Sequence, residues 1–478
     1  MLGRILRLAA LGALTAACAD DPGATSSTGT GAAGASTAAT TAGVTATISA
    51  GTGAGGQGGG FSIVAGESPV LGTDKPDPFV LRVEDGEGPL YYLSHTVHNG
   101  GDFPLYTSRD LVDWTQTPGG LFGKSHAPGE RFQLNGGYFC ALWAPQIVEV
   151  GLGSYQLAFT AQRYASPGAC GPYLEDSGVY LASAASVEGP YAPLEKSWEP
   201  FPAGANEAAC PSNVRDALPR SVPYASQDCQ GTFCHHVVRL DSDVFRDPAD
   251  GRWWMAYAWY TNTPPQVAWE LANHGEHVGL VELDPADPFA VRCDVATPQI
   301  PIANPHDPNL LSALATSCPG CDQMLSFTKG RQGEDVVRDG VSWGVIEGPS
   351  LFRRGDYVYA LLSGSIWDSA YYHVYWIAAP TVEELATDSP SRLVGRYLIP
   401  SMGQSFGHGS AVLGPDAESW YFVHHRLDHA PCAAQGNCAR DVWVSPIEFE
   451  DRGDGKGEVY IKARRPAEEA GFEVKVPR

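Results

Sequence analysis

A short hairpin pattern returns five times along this chain, and this repeat limits the fold more than any other feature. Each copy is an apolar run, a turn, and a strand led by an aromatic residue. The first reads DPFVLRV then LYYLSHT, headed by Asp77. The second reads WAPQIVEV then SYQLAFTA, led by Trp143. The third is LDSDVFRDP then RWWMAYAW, led by Asp241. The fourth is IEGPSLFRR then DYVYALLSGS, with Glu347. The fifth is FGHGSAVLGP then SWYFVHHRL, with His408. Strand-turn-strand units without a helical period point to a β-propeller. In that architecture the first strand of each blade lines the central axis. Asp77, Asp241 and Glu347, each more than 100 residues from the next, therefore converge on one axial pocket.

The expected fold is all-β, a five-bladed propeller with long disulfide-stapled loop insertions. The aromatic leads Tyr91, Tyr155, Trp253, Tyr357 and Trp420 are 64, 98, 104 and 63 residues apart. The two long gaps must hold insertions, at Ser197 to His236 and Pro298 to Gly340. Long loops inside a compact domain usually serve function, and these would rim one mouth of the axis. A propeller also lets more than 400 residues form one domain, since each blade is expected to carry its own small core. TVEEL at Thr381 to Leu385 fits one helical turn, and EVYIKARR in the tail fits a closing strand.

Three segments are expected. Residues 1–17 read as a secretory signal, with Arg4 and Arg7 before an apolar run too short to span a bilayer. LTAAC resembles a lipoprotein cleavage site, which makes Cys18 a lipidation site, although Thr15 stands where Leu is usual. Residues 18–60 are almost wholly Gly, Ala, Ser and Thr. They cannot bury enough apolar surface to order themselves, and as a coil would reach roughly 35 Å. Residues 61–478 are the folded domain. By resemblance to sorting signals, Ala19 after the Cys implies the outer membrane of a Gram-negative cell, so the chain is expected to be an exported, surface or periplasmic lipoprotein. The chain has 31 Lys and Arg against 54 Asp and Glu, which argues against nucleic acid as a partner. A monomer is expected.

Eleven cysteines are present. Cys18 aside, an even number remains in an exported chain, which reads as up to five disulfides. Cys229 with Cys234 and Cys432 with Cys438 are spaced as local staples. Cys318 and Cys321 form a lone C-x-x-C, read as a disulfide because a zinc site needs a second ligand pair.

Hydrolysing a glycosidic bond takes one carboxylic acid to protonate the leaving oxygen and a second carboxylate to activate water or attack carbon. Their protonation states must differ at one pH, and a third carboxylate can hold the acid protonated by repulsion. Seven motifs in order resemble glycoside hydrolase family 43, inverting enzymes on a five-bladed propeller. They are DPF at Asp77, SRDLVDW at Ser108, WAP at Trp143, VEGPY at Val187, LDSDVFRDPADGRWW at Leu240, EGP at Glu347 and FGHGS at Phe406. The resemblance spans about Asp74 to Arg426. It implies Asp77 as general base, Glu347 as general acid and Asp241 as the residue that orients Glu347 and raises its pKa. It implies Trp143 and His408 at the sugar subsite, with His408 holding water or the water shell of a calcium ion at the axis, and no required cofactor. The third acid stays open among Asp241, Asp243 and Asp247, since residues i and i+2 share a strand face. The implied substrate is a polysaccharide or oligosaccharide containing arabinose, xylose or galactose. FRDP in the third copy resembles the R-D-P motif of the retaining, sucrose-cleaving propellers, the second enzymatic reading. A glycan-binding lipoprotein without turnover is the reading outside enzymes.

Overall fold

The computed structural model describes residues 60–478 apart from 98–100, 125–128, 135–136, 165, 171–176, 198–235, 263–276, 285–286, 292–299, 303–334, 339–340, 345, 365–366, 368–371, 386–389, 400–402 and 429–437. The chain opens with β1 (Phe61–Glu67). Blade one is β2 (Phe79–Asp85), β3 (Gly88–Ser94), β4 (Pro104–Ser108) and β5 (Thr115–Gly120). Blade two comprises β6 (Phe132–Leu134), β7 (Gly137–Gly151), β8 (Ser154–Tyr164), β9 (Ser177–Ala184) and β10 (Ala192–Ser197). Blade three comprises β11 (His236–Arg246), β12 (Trp253–Asn262), β13 (His277–Asp284) and β14 (Asp287–Val291), with β15 (Ile300–Ile302) also paired to β13. A separate hairpin follows, β16 (Asp335–Arg338) with β17 (Val341–Gly344). Blade four is β18 (Ile346–Arg354), β19 (Tyr357–Gly364), β20 (His373–Ala379), the helical turn α1 (Val382–Leu385) and β21 (Leu393–Leu398). Blade five has β22 (Gln404–Leu413), β23 (Trp420–Asp428) and β24 (Arg440–Ile447). Then come β25 (Phe449–Glu450), β26 (Tyr460–Ile461) and β27 (Gly471–Pro477). The five-bladed propeller is thus as expected, and the helical turn falls where TVEEL placed it.

The expected one core per blade is not what forms. Five apolar clusters lie between neighbouring blades, and successive residues of one strand serve different clusters. Tyr92 packs into the cluster shared with blade two, while Tyr91 and Leu93 join the cluster shared with blade five. Trp254 and Ala256 pack against blade four, and Trp253, Met255 and Tyr257 against blade two. Side chains alternate across a strand, so a strand covered on both faces reads as a continuous apolar run.

Ring closure also differs from the expected tail strand. Blade five supplies three strands, and the segment before blade one runs along its open edge. Val70 N–H donates to Val442 O at 2.9 Å, Val442 N–H to Leu71 O at 2.8 Å and Lys75 N–H to Arg440 O at 2.6 Å. Ser68 Oγ accepts Val444 N–H at 3.0 Å. β1 then pairs antiparallel with β27, Phe61 opposite Pro477 and Glu67 opposite Gly471. Of EVYIKARR, only Tyr460–Ile461 is a strand, and it pairs with β25.

Cys140 and Cys170 form a disulfide, and Cys438 is also disulfide-bonded. Cys210, Cys229, Cys234, Cys293, Cys318, Cys321 and Cys432 lie outside the described residues, as do Cys18 and most of both insertions.

Two motifs prove to be turn chemistry. In SRDLVDW, Ser108 Oγ accepts Leu111 N–H at 2.9 Å, and Asp110 Oδ1 accepts the N–H groups of Val112 and Asp113, each at 2.9 Å. In FRDP, Asp247 pairs with Arg353 at 2.5 Å and caps the β11–β12 turn through Ala249 N–H at 3.0 Å. Arg246 is exposed over Trp253 at that hairpin. The R-D-P sequence therefore builds a turn at the end of the blade away from the axial carboxylates.

Candidate active site

The innermost strands β2, β7, β11, β18 and β22 each carry, within the strand or just before it, a residue held in left-handed backbone. These are Asp77 (φ 53°), Ala144 (42°), Asp241 (53°), Gly348 (55°) and His408 (42°). In four of the five the strand register slips there, between Trp143 and Gln146, Leu240 and Asp243, Glu347 and Ser350, and Gly407 and Gly409. Bulges of this kind re-aim side chains, and non-Gly residues in this region cost about 1–3 kcal/mol each. Three of those strained positions carry Asp77, Asp241 and His408.

The strain is held by a ring of hydrogen bonds between blades. Ala144 N–H donates to Thr96 Oγ1 at 2.8 Å, Asp241 N–H to Thr160 Oγ1 at 3.0 Å and His408 N–H to Ser363 Oγ at 2.8 Å. Asp77 N–H points at His425 Nδ1, 3.2 Å away. Each acceptor sits on the second strand of one blade, or just past it, and serves the next blade. In blade three the matching residue, opposite Leu240, is Ala258, which has no acceptor. There the carboxylate of Asp241 itself accepts Gly348 N–H.

A second ring lies two residues deeper. Gln146 Oε1 accepts Val244 N–H at 2.5 Å, Asp243 Oδ2 accepts Leu351 N–H at 2.6 Å, Ser350 Oγ accepts Ala411 N–H at 2.9 Å and Ser410 Oγ accepts Val80 N–H at 2.8 Å. Asp243 also receives Gln146 Nε2 on Oδ1 at 2.6 Å. Both of its oxygens are thus engaged in joining blades, and Asp247 is engaged with Arg353. Asp241 is the member of the three whose carboxylate interacts with both Asp77 and Glu347.

Asp77 is 8% exposed. Thr96 Oγ1 donates to its Oδ2 at 2.7 Å. Around Oδ1 stand His425 Nδ1 at 3.1 Å, Arg440 Nη1 at 3.3 Å and His408 Nδ1 at 3.3 Å. Burial alone would raise its acid, but His408, Arg440 and His425 outweigh burial and hold it well below the usual carboxylate range. Burial lowers His408 and pushes His425 down to about 4. Both imidazoles are then neutral at pH 7, so Arg440 is the full cation beside Asp77 and the histidines act as polar partners. His425 Nδ1 cannot both donate to Oδ1 and accept Asp77 N–H; donation requires the proton on Nδ1.

Asp241 moves the opposite way. Burial first, then the charges of Glu347 and Asp77, raise it well above the usual range. Its Oδ2 lies 3.8 Å from His408 Nδ1. Burial also pushes Asp243 up to about 7, with the Leu351 N–H pulling it back. Glu347 is half-buried, and Tyr372 Oη donates to its Oε1 at 2.7 Å. A Cβ on Gly348 would stand 2.7 Å from His408 Cγ, so E-G-P needs its glycine for packing as well as for φ. Trp143 is half-buried beside Ala144, opposite Thr160. A small axial cavity is lined by Asp77, Gln146, Asp241, Asp243 and His408 among others.

The expected residues Asp77, Asp241, Glu347 and His408 are thus brought together, and Trp143, midway along β7, precedes Ala144, which lines the axial cavity. Tyr372, His425, Arg440 and Thr96 were not foreseen. The ring acceptors could have been found by aligning the five copies on their leading aromatics. Thr96, Thr160, Ala258 and His425 each stand five residues after the lead, and Ser363 six. Among the described residues no group of three or more His, Cys, Asp or Glu side chains is arranged to hold a metal ion directly. His408 Nδ1 is turned to Asp77 Oδ1, 3.3 Å away.

The fold and site define a five-bladed propeller whose axis holds carboxylates of opposed protonation. Residues 67–205 match the model for glycosyl hydrolases family 43. A crystal structure of a thermostable family-43 glycoside hydrolase superposes with a TM-score of 0.50 at 17% identity, covering 84% of this chain and 99% of that one. An extracellular endo-α-(1→5)-L-arabinanase of Thermotoga petrophila is 25% identical over 194 residues, which are 38% of this chain and 34% of that protein. Residues 67–205 of this chain are thus similar to glycoside hydrolase family 43, and the fold beyond them is that of the family-43 structure. The chain's alignment spans about a third of the arabinanase's length.

Proposed function

We propose that this protein hydrolyses O-glycosidic bonds in arabinose- or xylose-containing polysaccharide or oligosaccharide, with galactose-containing glycans as a further substrate class. The observation that carries this reading is the opposed titration of two buried carboxylates on one axis. Asp77 is held ionised, and Asp241, beside Glu347, is held toward the protonated form. A base held ionised beside a carboxyl pair, Asp241 with Glu347, that retains a proton is what glycoside hydrolysis needs.

In this mechanism Asp77 is the general base. It takes a proton from water as the water oxygen bonds to the anomeric carbon. Glu347 is the general acid and gives its proton to the leaving oxygen as that bond breaks. Water is consumed, two hydroxyl products form, and the anomeric configuration inverts. Asp241 orients Glu347 through Gly348 N–H, and repulsion between the two carboxylates disfavours ionising both, so the pair retains a proton for the leaving oxygen. His408 spans Asp77 and Asp241, and Trp143 offers an aromatic wall to the sugar. No step is assigned to a calcium ion held at His408 through its water shell.

The same reading covers the rest of the chain. Residues 1–17 are a lipoprotein signal, Cys18 carries lipid, residues 18–60 form a tether, and residues 61–478 are the monomeric catalytic domain on an outer-membrane surface. The extracellular relative of Thermotoga petrophila agrees with export.

The test is hydrolysis of p-nitrophenyl α-L-arabinofuranoside, β-D-xyloside and β-D-galactoside, and of dye-linked arabinan, xylan and galactan, with Glu347→Gln as control. Release from one of them that the control abolishes supports the proposal. Glycan binding without any release would replace it with a binding lipoprotein.

A further inference from the structure

Tyr372 is fully buried, and no part of the mechanism above uses it. Its phenol oxygen lies 2.7 Å from Glu347 Oε1. Its ring stacks on His425 with centroids 5.7 Å apart and 5° between planes. Gly407 passes so close that a Cβ there would stand 2.1 Å from the Tyr372 ring. The ring is therefore clamped between β22 and His425, and Oη has little freedom to leave Glu347.

The direction of the hydrogen bond follows from the neighbours. His408 N–H donates to Ser363 Oγ at 2.8 Å. The Ser363 hydroxyl also hydrogen-bonds the Tyr372 phenol and pulls its pKa down, which is the effect of a donor to Oη. A phenol has one proton. With Oη already accepting from Ser363, that proton points to Glu347. The result is a one-way chain, His408 N–H to Ser363, Ser363 to Tyr372, and Tyr372 to Glu347 Oε1.

We propose that Tyr372 is a positioning residue for the general acid. It fixes the Glu347 carboxyl by Oε1, so that the transferable proton is carried on Oε2, and it stabilises the carboxylate that remains after that proton leaves. A hydrogen bond to an ionised group is stronger than one to a neutral group, so Tyr372 assists Glu347 most in the transition state of leaving-group protonation. The inference rests on the proposed role of Glu347.

The experiment compares wild type, Tyr372→Phe and Ser363→Ala on aryl glycosides of the sugar that wild type cleaves. One leaving group is 2,4-dinitrophenol, which needs no protonation, and the other is phenol, which does. Tyr372→Phe should slow the phenyl glycoside about tenfold or more and the dinitrophenyl glycoside much less. The basic limb of its kcat/KM profile should move to higher pH by about one pH unit, because loss of the donor raises the acid. Ser363→Ala, which keeps the ring in place, should shift both readouts the same way by less. It decides the matter if the first variant does not fold.

Equal slowing of both substrates with an unmoved basic limb would overturn the positioning role and leave the hydrolase reading standing. Wild type inactive on every substrate would overturn both.

Discussion

The carboxylate of Asp241 accepts the backbone N–H of Gly348, the residue that follows Glu347. In other blades a hydroxyl or an imidazole from the preceding blade faces the matching N–H. Blade three has Ala258 at that place, and a carboxylate takes over. The third acid is therefore an element of the propeller's own bonding ring, recruited beside the expected general acid.

Gly348→Ala tests that geometry. The new Cβ would meet the His408 ring at 2.7 Å in left-handed backbone. We expect a loss of about 1–3 kcal/mol in urea unfolding. The fall in kcat should exceed that of a surface Gly→Ala control such as Gly86→Ala, which has open space.

Arg440→Met tests the charge on Asp77. Arg440 helps hold that acid down, so its loss raises the acid. The acidic limb of kcat/KM should move to higher pH. The linkage sign agrees: a carboxylate depressed in the folded state contributes stability above its unfolded pKa that is lost as pH falls. The variant should therefore lose stability at pH 7 and show a weaker fall below pH 4. An unmoved acidic limb would show that Arg440 does not tune the base.

Asp243→Ser tests the lower ring. Serine fills the matching place in blades four and five, at Ser350 and Ser410. Asp243 is pushed up to about 7, so its contribution is fully present below about pH 4 and is lost as pH rises toward 7. That loss amounts to about 4 kcal/mol at most. Wild type should lose stability across that window, and the variant should lose less, as read by Tm between pH 4 and 8.

Ser68→Ala tests ring closure. Ser68 Oγ accepts Val444 N–H at 3.0 Å on the open edge of blade five. Leaving that buried donor unmet should cost about 1–3 kcal/mol, seen as a lower urea midpoint with unchanged slope.

Much of this was legible because the repeats are local. The aromatic leads mark the second strands, and the left-handed positions in or just before the first strands include Asp77, Asp241 and His408, with Glu347 beside Gly348. Ring closure was not legible, because Ser68 and Val444 are 376 residues apart and no local pattern encodes such a pairing. Arg440 heads the third strand of blade five and Tyr372 precedes β20, positions that the hairpin pattern does not mark. The choice among Asp241, Asp243 and Asp247 depended on a bulge that separates Asp241 from the face Asp243 uses to join blades. R-D-P misdirected because its carboxylate caps a turn and pairs with Arg353.

The most direct measurement is the anomeric configuration of the first product. It would be followed by proton NMR on the substrate that the hydrolysis panel selects, before mutarotation. With Asp77 activating water and Glu347 protonating the leaving oxygen, the first-formed sugar carries the inverted configuration, and Asp77→Asn lowers its formation by about 10²–10⁴-fold. A first product with retained configuration would contradict the account, since it requires a carboxylate to attack the sugar itself.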